Sequence, residues 1–231
     1  MTKNHKTNVK KSMVAIALLC GLSTPVLANQ TGDFLIRGGL TSVNPDSGKS
    51  AIMLAGADST MTLTVGDNTQ LGLNFVYFYN SNLAVEVLAA TPFTHDVYIQ
   101  DKNAVLGVDG AKLGEVSHLP PTISALYYFN TNSAFKPYVG AGINYTIFFN
   151  EKFADAPKSL GLSNLKLDGS FGYALQVGAD YDIDKNWSVN ASARYIDINT
   201  DATFSVGGDN IGKASISVDP MVYSLMIGYK F

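Results

Sequence analysis

The chain has 231 residues, 46% of them hydrophobic and only 15% charged, with 21 Gly, 12 Tyr and 12 Phe. That length suits one barrel or sandwich domain, and the composition fits neither a disordered chain nor an ordinary helical enzyme. The net charge is −3 and no Lys/Arg cluster lies beyond the first residues, which argues against nucleic acid as a partner.

Residues 1–28 read as a secretory signal peptide. Lys3, Lys6, Lys10 and Lys11 make a basic start, Met13 to Leu22 is an apolar run, and Val26-Leu27-Ala28 fits a small-x-small cleavage site. The run is too short for a helical span, which needs about 20 residues. Cleavage after Ala28 removes four of the 16 Lys plus Arg and none of the 19 acids, leaving 12 against 19. It also removes Cys20, the one Cys, so disulfide and thiol chemistry are excluded from the mature chain. A lipoprotein reading of Leu18-Leu19-Cys20 is disfavoured, because Leu19 is bulky for the position before a lipidated Cys. No later stretch reaches 18 apolar residues. A secreted chain without a helical span is soluble or a closed barrel, since only helices and barrels satisfy backbone polar groups in lipid.

The mature chain, 29–231, reads as strands from end to end. A weak alternation over 33–42 is followed by a long connection, 43–69. Leu71, Leu73, Phe75, Tyr77 and Tyr79 then alternate with Gln70, Gly72, Asn74, Val76 and Phe78, the period of a strand. A short link at 80–82 leads to a weaker strand over 83–92, and a long connection, 93–119, to another over 120–129. Pro120-Pro121 stiffens the entry to that strand, because Pro lacks a ladder donor. After 130–135, Val139, Ala141, Ile143, Tyr145 and Ile147 alternate with Tyr138, Gly140, Gly142, Asn144 and Thr146. The long connection 147–169 follows, with a short helix predicted over 157–167. Phe171, Tyr173, Leu175, Val177, Ala179 and Tyr181 open the next strand, Trp187 to Tyr195 the one after the short link 182–186. The connection 198–219 leads to the last, with Met221, Tyr223, Leu225, Ile227, Tyr229 and Phe231 on one face.

The pattern predicts an all-β fold: an eight-stranded antiparallel transmembrane β-barrel with short periplasmic turns, four long extracellular loops and both termini periplasmic. Aromatics near the strand ends, such as Tyr181, Trp187, Tyr229 and Phe231, fit interfacial girdles. The competing fold is a soluble barrel of lipocalin type, with the apolar face inward. The other face, however, is Gly, Ser, Ala and Asn with few Lys or Glu, unlike a solvated exterior.

Several strings are similar to those of the outer membrane protein W family. They are Leu88-Ala89-Ala90-Thr91-Pro92-Phe93-Thr94-His95, His118-Leu119-Pro120-Pro121-Thr122, Tyr127-Tyr128-Phe129, and Lys136 through Thr146 (KPYVGAGINYT). Gly32-Asp33-Phe34 and the closing Asp219-Pro220 to Tyr229-Lys230-Phe231 belong with them, so the resemblance spans essentially 29–231. It implies a narrow apolar channel that passes small hydrophobic molecules across the outer membrane, with release sideways into the bilayer, as in relatives that assist alkane and aromatic uptake. The implied partners are outer-membrane lipids and lipopolysaccharide, small hydrophobic solutes, and the barrel assembly machinery through the C-terminal Phe231.

An eight-stranded interior is just wide enough to be filled by side chains. Alternation places Arg37, Glu86, Asp180, Arg194 and Lys230 in the lumen, where unpaired charge is costly, so an ion-pair plug is predicted. Towards the extracellular end the inward positions turn apolar: Leu88, Ala90, Pro92, Ile196, Val222 and Phe148. With Phe93 and Phe149 these are the candidate lining of a dry cup, the usual character of a binding site at a barrel mouth. The plainer reading of both groups is ordinary packing. His95 and His118 sit at the two ends of one long connection near Asp96, Asp101 and Glu115, but their spacing matches no known metal motif. Ser117-His118 lacks the setting of a nucleophile, and Gly207-Gly208 reads as a turn, so no enzyme, metal or cofactor is predicted. The second functional reading is a structural or surface-interaction barrel whose loops act as receptor or adhesin. A membrane-embedded lipid hydrolase is a distant third.

Overall fold

The computed structural model describes residues 29–46, 51–54, 57–103 and 107–231; the signal-peptide reading of 1–28 falls outside them. The strands in chain order are β1 (Phe34–Asn44), β2 (Ala51–Leu54), β3 (Ala57–Val65), β4 (Asn68–Phe78), β5 (Leu83–Ala90) and β6 (Phe93–Gln100). Next come β7 (Lys112–Leu119), β8 (Thr122–Tyr128), β9 (Phe135–Phe153), β10 (Leu162–Leu167), β11 (Ser170–Asp182) and β12 (Trp187–Ile196). The last are β13 (Asn199–Val206), β14 (Asp209–Ser217) and β15 (Met221–Lys230), and one helix, α1 (Asp155–Ser159), precedes β10.

Eight strands close on themselves in the order β11-β12-β15-β1-β4-β5-β8-β9, every neighbour antiparallel, with β9 pairing back onto β11. Closure leaves no edge in the lipid-facing wall. Side chains alternate strictly: β8 buries Thr122, Ser124, Leu126 and Tyr128 and exposes the residues between them. The outward set is the apolar one. Leu71 (62%), Leu225 (61%), Val177 and Ile227 (both 57%) stand in an exposed belt that would aggregate in water and is required in lipid. The inward set carries Arg, Glu, Asp, Asn and Thr, which overturns the lipocalin alternative. At the short-turn end of the belt, rings pack edge to face: Trp187 on Tyr229 at 4.9 Å, Tyr229 on Phe231 at 4.8 Å.

All eight barrel strands fall where the alternation predicts them. The long connections differ, for they are largely strands rather than loops. β9 runs for 19 residues, well beyond the barrel, and its far half pairs with β7. β6, β3 and β2 then continue that sheet, while β10, β13 and β14 form a separate three-stranded one. These strands escape a period-two reading because the register slips repeatedly. Shifts fall between Val97 and Tyr98, Glu115 and Ser117, Ser163 and Lys166, and Phe204 and Val206. Each bulge adds one residue and turns the following side chains to the other face. The helix predicted over 157–167 is likewise corrected: α1 ends at Ser159, Gly161 takes φ 87°, and Leu162–Leu167 is β10.

The lumen is stacked in layers. Nearest the short turns, Leu35, Val76, Phe78, Ala84 and Leu126 pack with Tyr128 and Tyr138. Buried charge follows. Above it lies a second apolar layer of Val43, Phe93, Ala174, Ile196, Ile198 and Val222. Small residues make the narrow cylinder possible: a Cβ on Gly142 would lie 2.2 Å from the Ile123 carbonyl oxygen, which is immovable backbone of the next strand. Gly142→Val is therefore expected to lower the urea midpoint of the vesicle-embedded barrel sharply or to block its assembly. Gly66→Ala, whose new Cβ would meet nothing closer than 3.8 Å, is expected to leave the unfolding free energy within about 0.5 kcal/mol of wild type.

Candidate functional site

The charged layer is a closed network at mid-barrel. Arg37 is fully buried and forks onto Asp180, Nε to Oδ1 at 3.0 Å and Nη2 to Oδ2 at 2.5 Å. Its Nη1 donates to Glu86 Oε2 at 3.0 Å, and its guanidinium lies 5.4 Å from the centre of the Tyr138 ring. Glu86 also receives Asn74 Nδ2 at 2.8 Å, Gln176 Nε2 at 3.0 Å and Arg194 Nη2. Asp180 receives the Tyr128 hydroxyl and Asn190 Nδ2, both at 2.9 Å. Two cations meet two carboxylates, and neutral donors fill the remaining lone pairs, the condition under which buried charge is tolerated. Arg37, Glu86, Asp180 and Arg194 are thus brought together. Lys230 is not: it sits half-buried at the short-turn end, 3.7 Å from Asp33. Strand-end residues reach the rim, where solvation competes with pairing.

Above the second apolar layer opens a cavity of about 360 Å³. Its walls come from the extension: Leu63 on β3, Val97 on β6, Val116 on β7, Phe153 on β9, Leu165 on β10 and Phe204 on β13 are among them. Of the eight residues predicted to line a cup, Phe148 alone reaches this cavity. Phe93, Ile196 and Val222 lie beneath it in the second apolar layer, with Ala90 packed against them. Leu88 is buried lower down, opposite Thr122 and Asn74, Pro92 is exposed, and Phe149 is half-buried away from the lining. The cavity lies above most of the predicted lining, and its walls are bulged strands whose register slips hide them from a period-two reading. Asn150, at φ 54°, marks the irregularity in β9 after which Phe153 joins Phe148 on the inner face.

His95 and His118, 23 residues apart in sequence, face each other across β6 and β7 in the cavity wall. Their Nε2 atoms are 3.0 Å apart, and His95 Nδ1 is 2.5 Å from the Gly66 carbonyl oxygen. Phe93 stacks on His118 at 5.5 Å, and Phe148 lies tilted 6.0 Å from it. Burial pushes both imidazoles below the usual 6.5; His118, which also feels His95, falls to about 3. Among the described residues no group of three or more His, Cys, Asp or Glu is placed to hold a metal ion.

The OmpW family model matches residues 30–231. The chain belongs to the OmpW family. It is 43% identical to outer membrane protein W of Vibrio cholerae over 225 residues, 96% of this chain and all of that one. It is 41% identical to outer membrane protein W of Escherichia coli over 223 residues, 96% of this chain and 99% of that one. Its fold is similar to the crystal structure of the outer membrane protein OprG from Pseudomonas aeruginosa, with a TM-score of 0.81 at 41% identity, over 88% of this chain and 98% of that one. This is an outer-membrane barrel, and the belt described above is its lipid contact.

For this OmpW-family barrel two outcomes follow from the geometry. Glu86→Ala leaves the buried Arg194 guanidinium without its carboxylate and Arg37 with Asp180 alone, and should cost about 3–5 kcal/mol in urea unfolding from lipid vesicles. Lys230→Ala, at the half-solvated rim, should cost about 1 kcal/mol or less by the same measurement. The histidines give a pH dependence of fixed sign. Both stay neutral when folded but take up protons near pH 6.5 when unfolded. Stability is therefore full above that pH and is lost as the pH falls below 6.5; for His118 the loss continues towards pH 3, by up to about 1.4 kcal/mol per pH unit, and for His95 it has the same sign. Urea midpoints between pH 7 and 4 should show a shallower slope for His118→Phe than for wild type.

Proposed function

We propose that this barrel passes small hydrophobic molecules across the outer membrane, and the apolar cavity beyond the barrel mouth is the observation that carries the reading. Among the described residues only His95, Glu115 and His118 interrupt its hydrocarbon wall with a polar side chain. Its volume, about 360 Å³, falls in the usual range of ligand sites. In this reading the extended end faces the exterior, the short turns and both termini face the periplasm, and residues 1–28 are removed on export. The exposed Phe231 is the contact offered to the assembly machinery.

The solute enters the cavity and meets the second apolar layer as its floor. Straight passage is then opposed by the Arg37–Glu86–Asp180–Arg194 plug, where a hydrocarbon would have to displace charge-assisted hydrogen bonds. A sideways route has support in the wall. The β5–β8 ladder ends at Leu88 opposite Thr122, and pairing resumes between β6 and β7 at Phe93 opposite His118. In the interval, Pro92, Pro120 and Pro121 have no N–H to close the ladder. A hydrophobic solute leaving there enters bilayer without crossing the plug.

Phe148→Arg and Phe204→Arg each place a cation in the cavity wall. Both are expected to cut initial uptake of a labelled alkane by intact cells at least about threefold at matched expression, the penalty of about 1 kcal/mol or more for desolvating charge. Gel mobility before and after heating checks that each variant is folded. Unchanged uptake by both folded variants would remove the cavity from the route and turn attention to the surface of the extension as a docking site.

A further inference from the structure

The hydrogen bonds of the histidine pair determine which ring nitrogens carry protons. A carbonyl oxygen only accepts, so His95 Nδ1 carries its hydrogen and donates to Gly66. A neutral imidazole has one N–H, so His95 Nε2 is bare and accepts. His118 Nε2, 3.0 Å away, must then be the donor. The relay leaves His118 Nδ1 with a lone pair and no hydrogen. That atom is buried, and among the described residues it has no partner. Burial holds both rings neutral, so the relay keeps this direction near neutral pH.

An unpartnered acceptor is unusual in a buried position, because leaving it unmade costs more than a made bond returns. Here it belongs to a ring that lines an otherwise hydrocarbon cavity. Glu115, on the same wall, is already engaged by Lys112 at 2.7 Å. Of the two phenylalanines against His118, Phe93 is 1% exposed and lies beneath the cavity, whereas Phe148 is half-buried and stands with His118 in the cavity wall.

We propose that His118 Nδ1 is a specificity-determining acceptor that selects amphiphiles carrying one hydroxyl donor, alcohols or phenols, whose hydrocarbon body lies in the cavity. This rests on the cavity being the solute site. It adds that the cavity discriminates among solutes of equal size, preferring the one that hands a proton donor to the bare nitrogen. Alkanes are admitted but leave Nδ1 unmade. Ethers and ketones, which only accept, gain nothing from it.

The test uses the mature protein in lipid nanodiscs with ¹⁵N-labelled histidine, titrated with 1-nonanol and with its isomer methyl octyl ether. Both compounds are expected to shift cavity methyl signals of Leu63 and Val116. Only nonanol is expected to move the unprotonated ring-nitrogen resonance of His118 upfield, and it should bind about three- to tenfold tighter than the ether. His118→Phe should erase that preference and leave ether binding intact; the nitrogen resonance of the wild-type protein carries the test even if this variant assembles poorly. If nonanol shifts the methyls while the His118 nitrogen stays still, or if the isomers bind equally, the proposed role of His118 is overturned and the cavity reading stands. If neither compound shifts the methyls, the cavity is not a solute site and both proposals fall.

Discussion

A backbone N–H that faces hydrocarbon has no water to bond, and the whole architecture follows from that constraint. It forces the sheet to close, and closure by eight strands leaves an interior that side chains must fill. Filling it with hydrocarbon on both faces of every strand would leave nothing to specify which face meets lipid. The polar lumen solves this: Arg37, Glu86, Asp180 and Arg194 reach their ion-pair partners only when they meet at the axis, so they pin strand register and facing together. β1, β5, β11 and β12 each contribute one member, so the layer ties four of the eight strands across the bore. The same layer separates an apolar base from an apolar floor and turns the barrel into a foundation rather than a pipe.

The space available to a ligand is accordingly displaced to the extension beyond the barrel mouth. Two sheets enclose it, one continuous with the barrel through β9 and one, β10-β13-β14, standing apart. Their inner faces supply Leu, Val and Phe from bulged strands, and the floor below is sealed by Phe93, Ile196 and Val222. Polar chemistry in this chamber is therefore sparse: Glu115, held by Lys112, and two imidazoles whose hydrogen bonds run to a backbone carbonyl and to each other.

The barrel was legible in the sequence because its signal is strong and regular: ten-residue alternations with an apolar face, as in Val139 to Ile147, survive without any tertiary information. The lumen charges were legible for the same reason, since parity alone puts Arg37 and Glu86 inside. The neutral partners Asn74, Gln176, Tyr128 and Asn190 were not singled out, because Asn, Gln and Tyr on an inward face carry no mark that separates a network member from a filler. Lys230 does continue the inward face, but parity is blind to height along the strand and does not show that it stops at the rim beside Asp33. The cavity above the predicted cup is not legible, for a different reason. Its walls are bulged strands, and each one-residue slip, as between Glu115 and Ser117, resets the parity on which the reading depended. The meeting of His95 with His118 needed the β6–β7 register, which spacing could not supply.

β9 has a further consequence. At about 3.3 Å per residue its 19 residues span roughly 60 Å, about twice the hydrocarbon thickness of a bilayer. One continuous strand, with a single slip in its pairing to β7, thus runs from the lipid into the wall of the apolar chamber. Surface loops on most barrels can lengthen or shorten freely during evolution, because their ends are fixed and their middles are not. Here an inserted residue in β6 or β7 would turn Phe93 or His118 to the opposite face and unmake the wall. This wall therefore tolerates exchange of side chains at constant length, and the chamber obeys the packing rules of a core rather than the freedom of a loop.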